Sequence, residues 1–223
     1  MPPAPESSPT TDERRNARVV LNRLKKRYPV MRTALDYRDA WQLVVVTVLS
    51  AQTTDENVNR VAPELFARWP TPEDLAGADP EEVERVVFST GFYRQKTKSI
   101  ISLAVDLVEK YGGIVPNTLE ELVTLRGVGR KTASVVLAEV WDVPAIAVDT
   151  HVKRVANRLG LTRESDPTKI EFELRALHPE KEWSGISMRY IQFGRDVCDA
   201  RRPLCWQCPL SDRCAYPDKT RRP

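Results

Sequence analysis

Four cysteines fall within the last 26 residues of this 223-residue chain and nowhere else: Cys198, Cys205, Cys208 and Cys214, spaced C-x6-C-x2-C-x5-C. The segment around them has too few apolar residues to build its own core, so it must fold around whatever the thiols hold. Three readings compete. Disulfides persist only where the surroundings oxidise thiols, and residues 1–11, rich in Pro, Ser and Thr, have no apolar core of the kind a secretory signal needs. Structural zinc sites usually present two short ligand pairs, whereas here only Cys205 and Cys208 form a C-x-x-C pair. Four thiolates around a [4Fe–4S] cluster fit the spacing better.

Charge points to the same segment. The formal net charge is +3, too small on its own to imply a nucleic-acid partner. From residue 198 onward, however, Arg201, Arg202, Arg213, Lys219, Arg221 and Arg222 face only Asp199, Asp212 and Asp218, so the whole excess sits among the cysteines. No uncharged apolar stretch approaches the roughly 20 residues of a membrane span. An intracellular protein with no membrane partner is expected, cytoplasmic or associated with the nucleoid.

Most of the chain reads as helix, with apolar residues returning at three- and four-residue steps, as at Ile100, Ala104, Leu107 and Val108. Thr118 followed by Glu121 has the form of a capping box, and Asp166-Pro167 supplies a cap and a first-turn proline for a later helix. The valine-rich run Leu43 to Leu49 admits a buried strand, but no partner strand or hairpin turn occurs elsewhere, which favours a buried helix. The fold class expected is all-α. Residues 1–12 are expected to be a disordered tail.

At Leu125-Arg126-Gly127-Val128-Gly129-Arg130-Lys131-Thr132-Ala133 a helix ends, two glycines turn the chain and another helix begins. Bare amides at a helix N-terminus form a positive concavity that accepts a phosphate. An ordinary helix–helix turn is the plainer alternative, but Arg130, Lys131 and Thr132 follow directly and suit a phosphate ligand. The spacing is not that of a nucleotide-binding P-loop, so DNA backbone is the better partner. An ammonium at Lys131 would face the positive end of the helix dipole, which disfavours the protonated form and favours a nucleophilic amine able to form a Schiff base. A phosphate-binding or solvated lysine is the alternative on spacing alone. Asp149, in Val148-Asp149-Thr150-His151, is a candidate carboxylate partner for it, although an Asp before a helix is also an ordinary N-cap. His151 reads as structural.

Together, the hairpin, the Val148-Asp149-Thr150-His151 element, the Ser50-Ala51-Gln52-Thr53-Thr54-Asp55 segment and the cysteine spacing resemble the endonuclease III branch of the helix–hairpin–helix DNA glycosylases, over roughly residues 13 to 216. The resemblance implies two α-helical domains with a DNA cleft between them: a six-helix barrel domain carrying the helix–hairpin–helix, residues 33–143, and an iron–sulfur cluster domain from residues 13–32 and 144–223. It implies a monomeric, bifunctional DNA glycosylase and AP lyase acting on double-stranded DNA with an oxidised pyrimidine or abasic site. Lys131 and Asp149 would be catalytic, on opposite sides of the cleft, and the four cysteines would hold the cluster. Such enzymes flip the damaged nucleotide out of the stack. Gln52 would fill the gap and the Thr90-Gly91-Phe92 loop would supply a wedge. Gly127, Val128, Gly129, Arg130 and Thr132 of the hairpin and Arg201 and Arg202 of the cysteine loop would contact DNA.

Three departures bear on substrate. Arg126 stands where the family commonly has proline, which implies a looser turn and an added cation near DNA. Phe92 is bulkier than the expected aliphatic wedge, and Phe193 precedes Gly194 where many relatives carry histidine. Two rivals share part of the pattern. One is an adenine glycosylase of the same fold, against which stand Lys131 and the absence of a further domain after Cys214. The other is a non-enzymatic DNA-binding module with a metal-stabilised tail.

Overall fold

The Leu43–Leu49 run, ambiguous by periodicity, is helical in the computed structural model, which describes residues 8–29 and 32–222. The helices are α1 Thr11–Arg27, α2 Ala40–Leu49, α3 Asp55–Arg68, α4 Pro72–Ala76, α5 Pro80–Val87, α6 Tyr93–Tyr111, α7 Leu119–Leu122, α8 Arg130–Trp141, α9 Thr150–Arg158, α10 Pro167–Leu177 and α11 Trp183–Asp196. With a few short 3₁₀ turns they are the only regular structure among the described residues. None is long and apolar enough to cross a membrane.

Side-chain caps punctuate this chain. Asp39, Thr54, Thr71, Asp79, Thr118, Asp149 and Asp166 each accept a backbone N–H in the first turn of the helix that follows. At Thr118 the Glu121 carboxylate accepts from the threonine hydroxyl at 2.6 Å, a variant of the expected box. The expected tail lies largely outside the described residues. Its last two, Thr11 and Asp12, already belong to α1, because Thr10 and Glu13 form a complete capping box.

The chain divides into two compact units. In Thr33–Val143, α2 is buried almost all round: Trp41 and residues 43–49 are covered by α3, α6 and α8. Such a helix has no polar face to show water, which is why its sequence mimics a strand. α6 supplies Ile100, Leu103, Ala104 and Leu107 to the same core, with Val108 half-buried at its margin. Leu122, Leu125 and Val128 carry that core through the hairpin into α8.

The second unit comprises the described residues of 1–32 and 144–223. Ala17, Val20, Leu21 and Leu24 of α1 pack with Ile146, Val148 and the inner faces of α9, α10 and α11. Fully burying a leucine such as Leu24 contributes about 1.5–3 kcal/mol, so α1 is integral to this core despite its distance in sequence. Polar contacts fix its exit: Arg189 of α11 donates to the Tyr28 and Pro29 carbonyls, and Lys25 pairs with Glu182 at 2.9 Å. Phe193 is 1 % exposed within this core, so its departure from histidine is a packing matter.

The hairpin is not loosened by Arg126, contrary to the sequence-based expectation. Asp106, on the buried face of α6, accepts the Arg126 backbone N–H at 2.7 Å and its Nε–H at 3.0 Å through one oxygen, while Lys110 reaches the other at 2.9 Å. A proline could supply neither Arg126 donor. Burial alone would raise the Asp106 carboxyl, but the Arg126 and Lys110 hydrogen bonds outweigh it and bring the group to about 2, from an ordinary 3.8. A depressed carboxyl stabilises the fold above its unfolded pKa, and that stability drains away as pH falls from about 4 through about 2. Arg126→Pro is therefore expected to cost about 3 kcal/mol in urea unfolding at pH 7, and distinctly less at pH 2, where about half of the wild-type Asp106 carboxyls are protonated and the ionic anchor is weakened. An equal penalty at both pH values would refute the ionic anchor.

Candidate functional site

The hairpin turns on Gly127, whose φ of +83° is strained for any side chain and whose Cβ would lie 3.1 Å from that of Ser99. It brings the chain to Gly129, the extended N-cap residue of α8, where no side chain caps the helix and a Cβ would meet no protein atom within 4 Å. The result is an open, glycine-fronted helix N-terminus, the local geometry that receives anions. Lys131 follows as the second residue of α8 and is exposed; Arg130 and Thr132 are half-buried. Val128 is 5 % exposed, so its side chain belongs to the core, and its N–H donates to Leu125 O at 3.0 Å to close the turn.

Three non-glycine residues among the described ones have positive φ, and two of them are Gln52 (φ 55°) and Phe92 (φ 49°). Left-handed backbone costs such residues about 1–2 kcal/mol each. Gln52 projects from the turn after α2, where Thr53 N–H donates to Ser50 O at 3.3 Å, and is exposed. Phe92 immediately precedes α6 and is 67 % exposed. The third, exposed Asp142 (φ 52°), is the C-cap of α8, whereas Gln52 and Phe92 lie in turns that precede helices. Thr90 differs from the expectation: it is 1 % exposed and its hydroxyl donates to Val87 O at 2.7 Å, so the side chain frames the loop from inside.

Asp149 ends an extended, buried segment, residues 145–148, pinned where Ala147 N–H donates to Ser187 of α11 at 2.8 Å. One carboxylate oxygen accepts the His151 and Val152 amides at 2.8 and 2.9 Å. The capping role is thus real, and it occupies Oδ1 with a fixed orientation. His151 is held as a structural residue: Nδ1 lies 3.0 Å from Arg154 Nη2, and burial lowers its proton affinity. A Cβ on Gly194 would sit 2.9 Å from that ring nitrogen, so only glycine lets α11 come this close to α9. Lys131 and Asp149 belong to different units.

In the cysteine segment the four thiols are half-buried and unpaired with one another. Burial pushes the Cys208 and Cys214 thiols up, and neighbouring cysteines add to the push. Two thiols that resist ionisation by themselves have a chemical reason to take a cationic group, which reverses that balance. Among the described residues, no three or more His, Cys, Asp or Glu side chains are gathered as a single metal ion needs. Leu210 N–H points at Cys208 Sγ at 3.4 Å, as amides do toward cluster thiolates.

Two arginines that sequence reading passed over organise this loop. Arg158 of α9 donates to the carbonyls of Asp199 (2.6 Å) and Ala200 (2.9 Å) and reaches Cys198 Sγ at 3.4 Å, while stacking 4.2 Å over Tyr216. One turn earlier, Arg154 donates to the Cys198 carbonyl at 3.0 Å. Their four-residue spacing was the available signal. Asp199 then accepts the backbone amides of Arg201 and Arg202, both at 2.8 Å, leaving these two residues exposed.

Residues 45–180 match the family of HhH-GPD superfamily base excision DNA repair proteins, and residues 198–214 match the iron–sulfur binding domain of endonuclease III. The endonuclease III of Synechocystis sp. is 48% identical over 203 residues, 91% of this chain and 93% of that protein. The chain belongs to the endonuclease III family. The Thermotoga maritima member is 44% identical over 178 residues, 80% of this chain and 84% of its own. A solved structure of a trapped endonuclease III–DNA covalent intermediate superposes with a TM-score of 0.87 at 42% identity, covering 91% of this chain and 95% of that one. The protein is a DNA glycosylase and AP lyase of base-excision repair, and its cofactor is the [4Fe–4S] cluster of the cysteine segment. The adenine-glycosylase and non-enzymatic alternatives are not favoured.

The Arg158 contacts predict a measurable dependence of cluster retention on this side chain. Wild-type protein should carry about four irons per chain. Arg158→Ala should load less iron and lose its broad visible absorption at least severalfold faster under a chelator, read by absorbance and metal analysis.

Proposed function

We propose that Lys131 is the nucleophile of this glycosylase, with Asp149 as its carboxylate partner, and that the substrate is duplex DNA carrying an oxidised pyrimidine or an abasic site. The hairpin carries the reading: an uncapped, glycine-fronted α8 N-terminus that suits a phosphate, with an exposed lysine in its first turn. Gly127 and Gly129 offer backbone amides to the strand, Val128, whose N–H donates to Leu125 O at 3.0 Å, holds the turn between them, and Arg130, Thr132, Arg201 and Arg202 add side chains. Gln52 fills the gap left by the flipped nucleotide and Phe92 wedges the stack, a use that their strained, exposed backbones support. The enzyme works as a monomer at the nucleoid.

In this scheme the neutral Lys131 amine attacks C1′ and the base leaves with the glycosidic electron pair, taking up a proton. Asp149 accepts the proton that the new ammonium must shed and steadies positive charge developing on the sugar. The ring oxygen then departs as a hydroxyl, taking the proton that Asp149 had accepted, and leaves a protonated Schiff base. Loss of a C2′ proton expels the 3′ phosphate by β-elimination, which nicks the strand. Water hydrolyses the imine and returns the lysine.

Borohydride reduces such an imine to a stable amine. Wild-type protein with abasic duplex and borohydride should yield a covalent adduct on a denaturing gel, and Lys131→Ala none; trapping undiminished in the folded variant would overturn the assignment. DNA affinity should also fall steeply with salt, and replacing Arg201 and Arg202 together by alanine should flatten the log–log slope by about two. An unchanged slope would remove them from the interface.

A further inference from the structure

Gln52 and Phe92 lie 40 residues apart in sequence but within one unit, and a single side chain joins the turns that carry them. Asn57, in the first turn of α3, places its Nδ2 3.1 Å from Thr53 Oγ1, next to Gln52, and 2.7 Å from Ser89 O, in the 3₁₀ turn Phe88–Thr90 before Phe92. Its own backbone N–H donates to the Thr54 hydroxyl, which fixes the residue from which the amide projects. On the other side of the same turn, Lys96 is 5 % exposed and donates from Nζ to Thr90 O at 2.7 Å. The remaining carbonyls are also taken: Phe88 O accepts from Gly91 N–H, and Phe92 O from Lys96 N–H.

A surface loop that only links two helices ordinarily leaves such carbonyls to water. Here the donors converge on the turn preceding a left-handed Phe92, and one of them also grips the turn holding a left-handed Gln52. We propose that Asn57 is a positioning residue that ties the Gln52 and Phe92 turns into one preset two-pronged unit, with Lys96 fixing the far side of the Phe92 turn. The proposal rests on the reading of Gln52 and Phe92 as the side chains that enter the DNA stack. Two prongs held at a fixed separation meet the duplex without first being ordered, so the strut acts on the insertion step and not on the chemistry at C1′.

The test uses the full-length, cluster-loaded protein with Asn57→Leu, which keeps the size of the side chain and removes both donors. Nicking is compared on one abasic site placed in a duplex and in a single strand, where there is no opposite base to leave stacked. The expected result is a fall in kcat/KM of about tenfold on the duplex, with the single-strand value changed less than about twofold and a similar pattern for Lys96→Met. Equal losses on both substrates, or an unchanged duplex value, would overturn the proposal. Gln52→Ala and Phe92→Ala, assayed alongside, separate the two ways of failing. If they slow the duplex reaction and Asn57→Leu does not, the strut alone is wrong. If they too leave it unchanged, the insertion reading falls and takes the strut with it.

Discussion

The placement of the hairpin depends on one buried carboxylate. Asp106 is 2 % exposed, on a helix whose other inward residues are mostly apolar, and such a charge is tolerable only if several donors reach it. Two of those donors come from Arg126, directly before the Gly127 turn. The hairpin is thereby tied to α6 by charge at the same place where Gly127 approaches Ser99 by shape. Proline, the family's common residue at this position, holds such a turn by stiffness; this chain holds it by hydrogen bonds. The Arg126 Nε–H is consequently committed to Asp106, while the carboxylate's single charge is shared with Lys110.

α6 also begins at the Phe92 turn, so one helix runs from that turn to the hairpin anchor. Its N-terminus has no side-chain cap; Phe92 in the left-handed region stands where a capping side chain usually stands. The chain forgoes a cap that would contribute about 1 kcal/mol and accepts backbone strain at the same residue. Buried Lys96, four residues on, compensates by anchoring the loop from within the helix. α8 and α11 also begin without a side-chain cap, but only α6 begins from a left-handed residue.

What the sequence disclosed was chemistry that lies close together along the chain. Gly127, Gly129 and Lys131 declare themselves within five residues, Asp149 lies directly before its helix, and the cysteine spacing is a local pattern. The supporting contacts were hidden because each joins distant positions: Arg126 to Asp106 across 20 residues, Asn57 to Ser89 across 32, Arg158 to Asp199 across 41. In sequence, Arg154 and Arg158 read as a solvated helix face, and Asn57 as an unremarkable first-turn residue. Gln52 gave no backbone warning, since nothing in a glutamine marks a left-handed turn. Thr90 and Val128 are expected from the resemblance to meet DNA, yet their side chains face inward and hold their loops up.

The same division of labour accounts for the cysteine segment. Its fold runs inward from the cysteines through Arg154 and Arg158 to α9, the helix that Asp149 caps. The N-terminal carboxylate of α9 and the loop gripped by its C-terminal arginine are therefore positioned by one rigid element about two and a half turns long. A segment without a core of its own gains a defined orientation relative to Asp149 through that helix, and Arg201 and Arg202 gain it in turn through Asp199. The cysteines need no part in bond breaking for their loss to matter. Without a group to hold, the segment keeps its protein contacts, those of Arg154 and Arg158, the Arg23–Asp212 pair and buried Leu210 among them, but loses the link that joins its four cysteines.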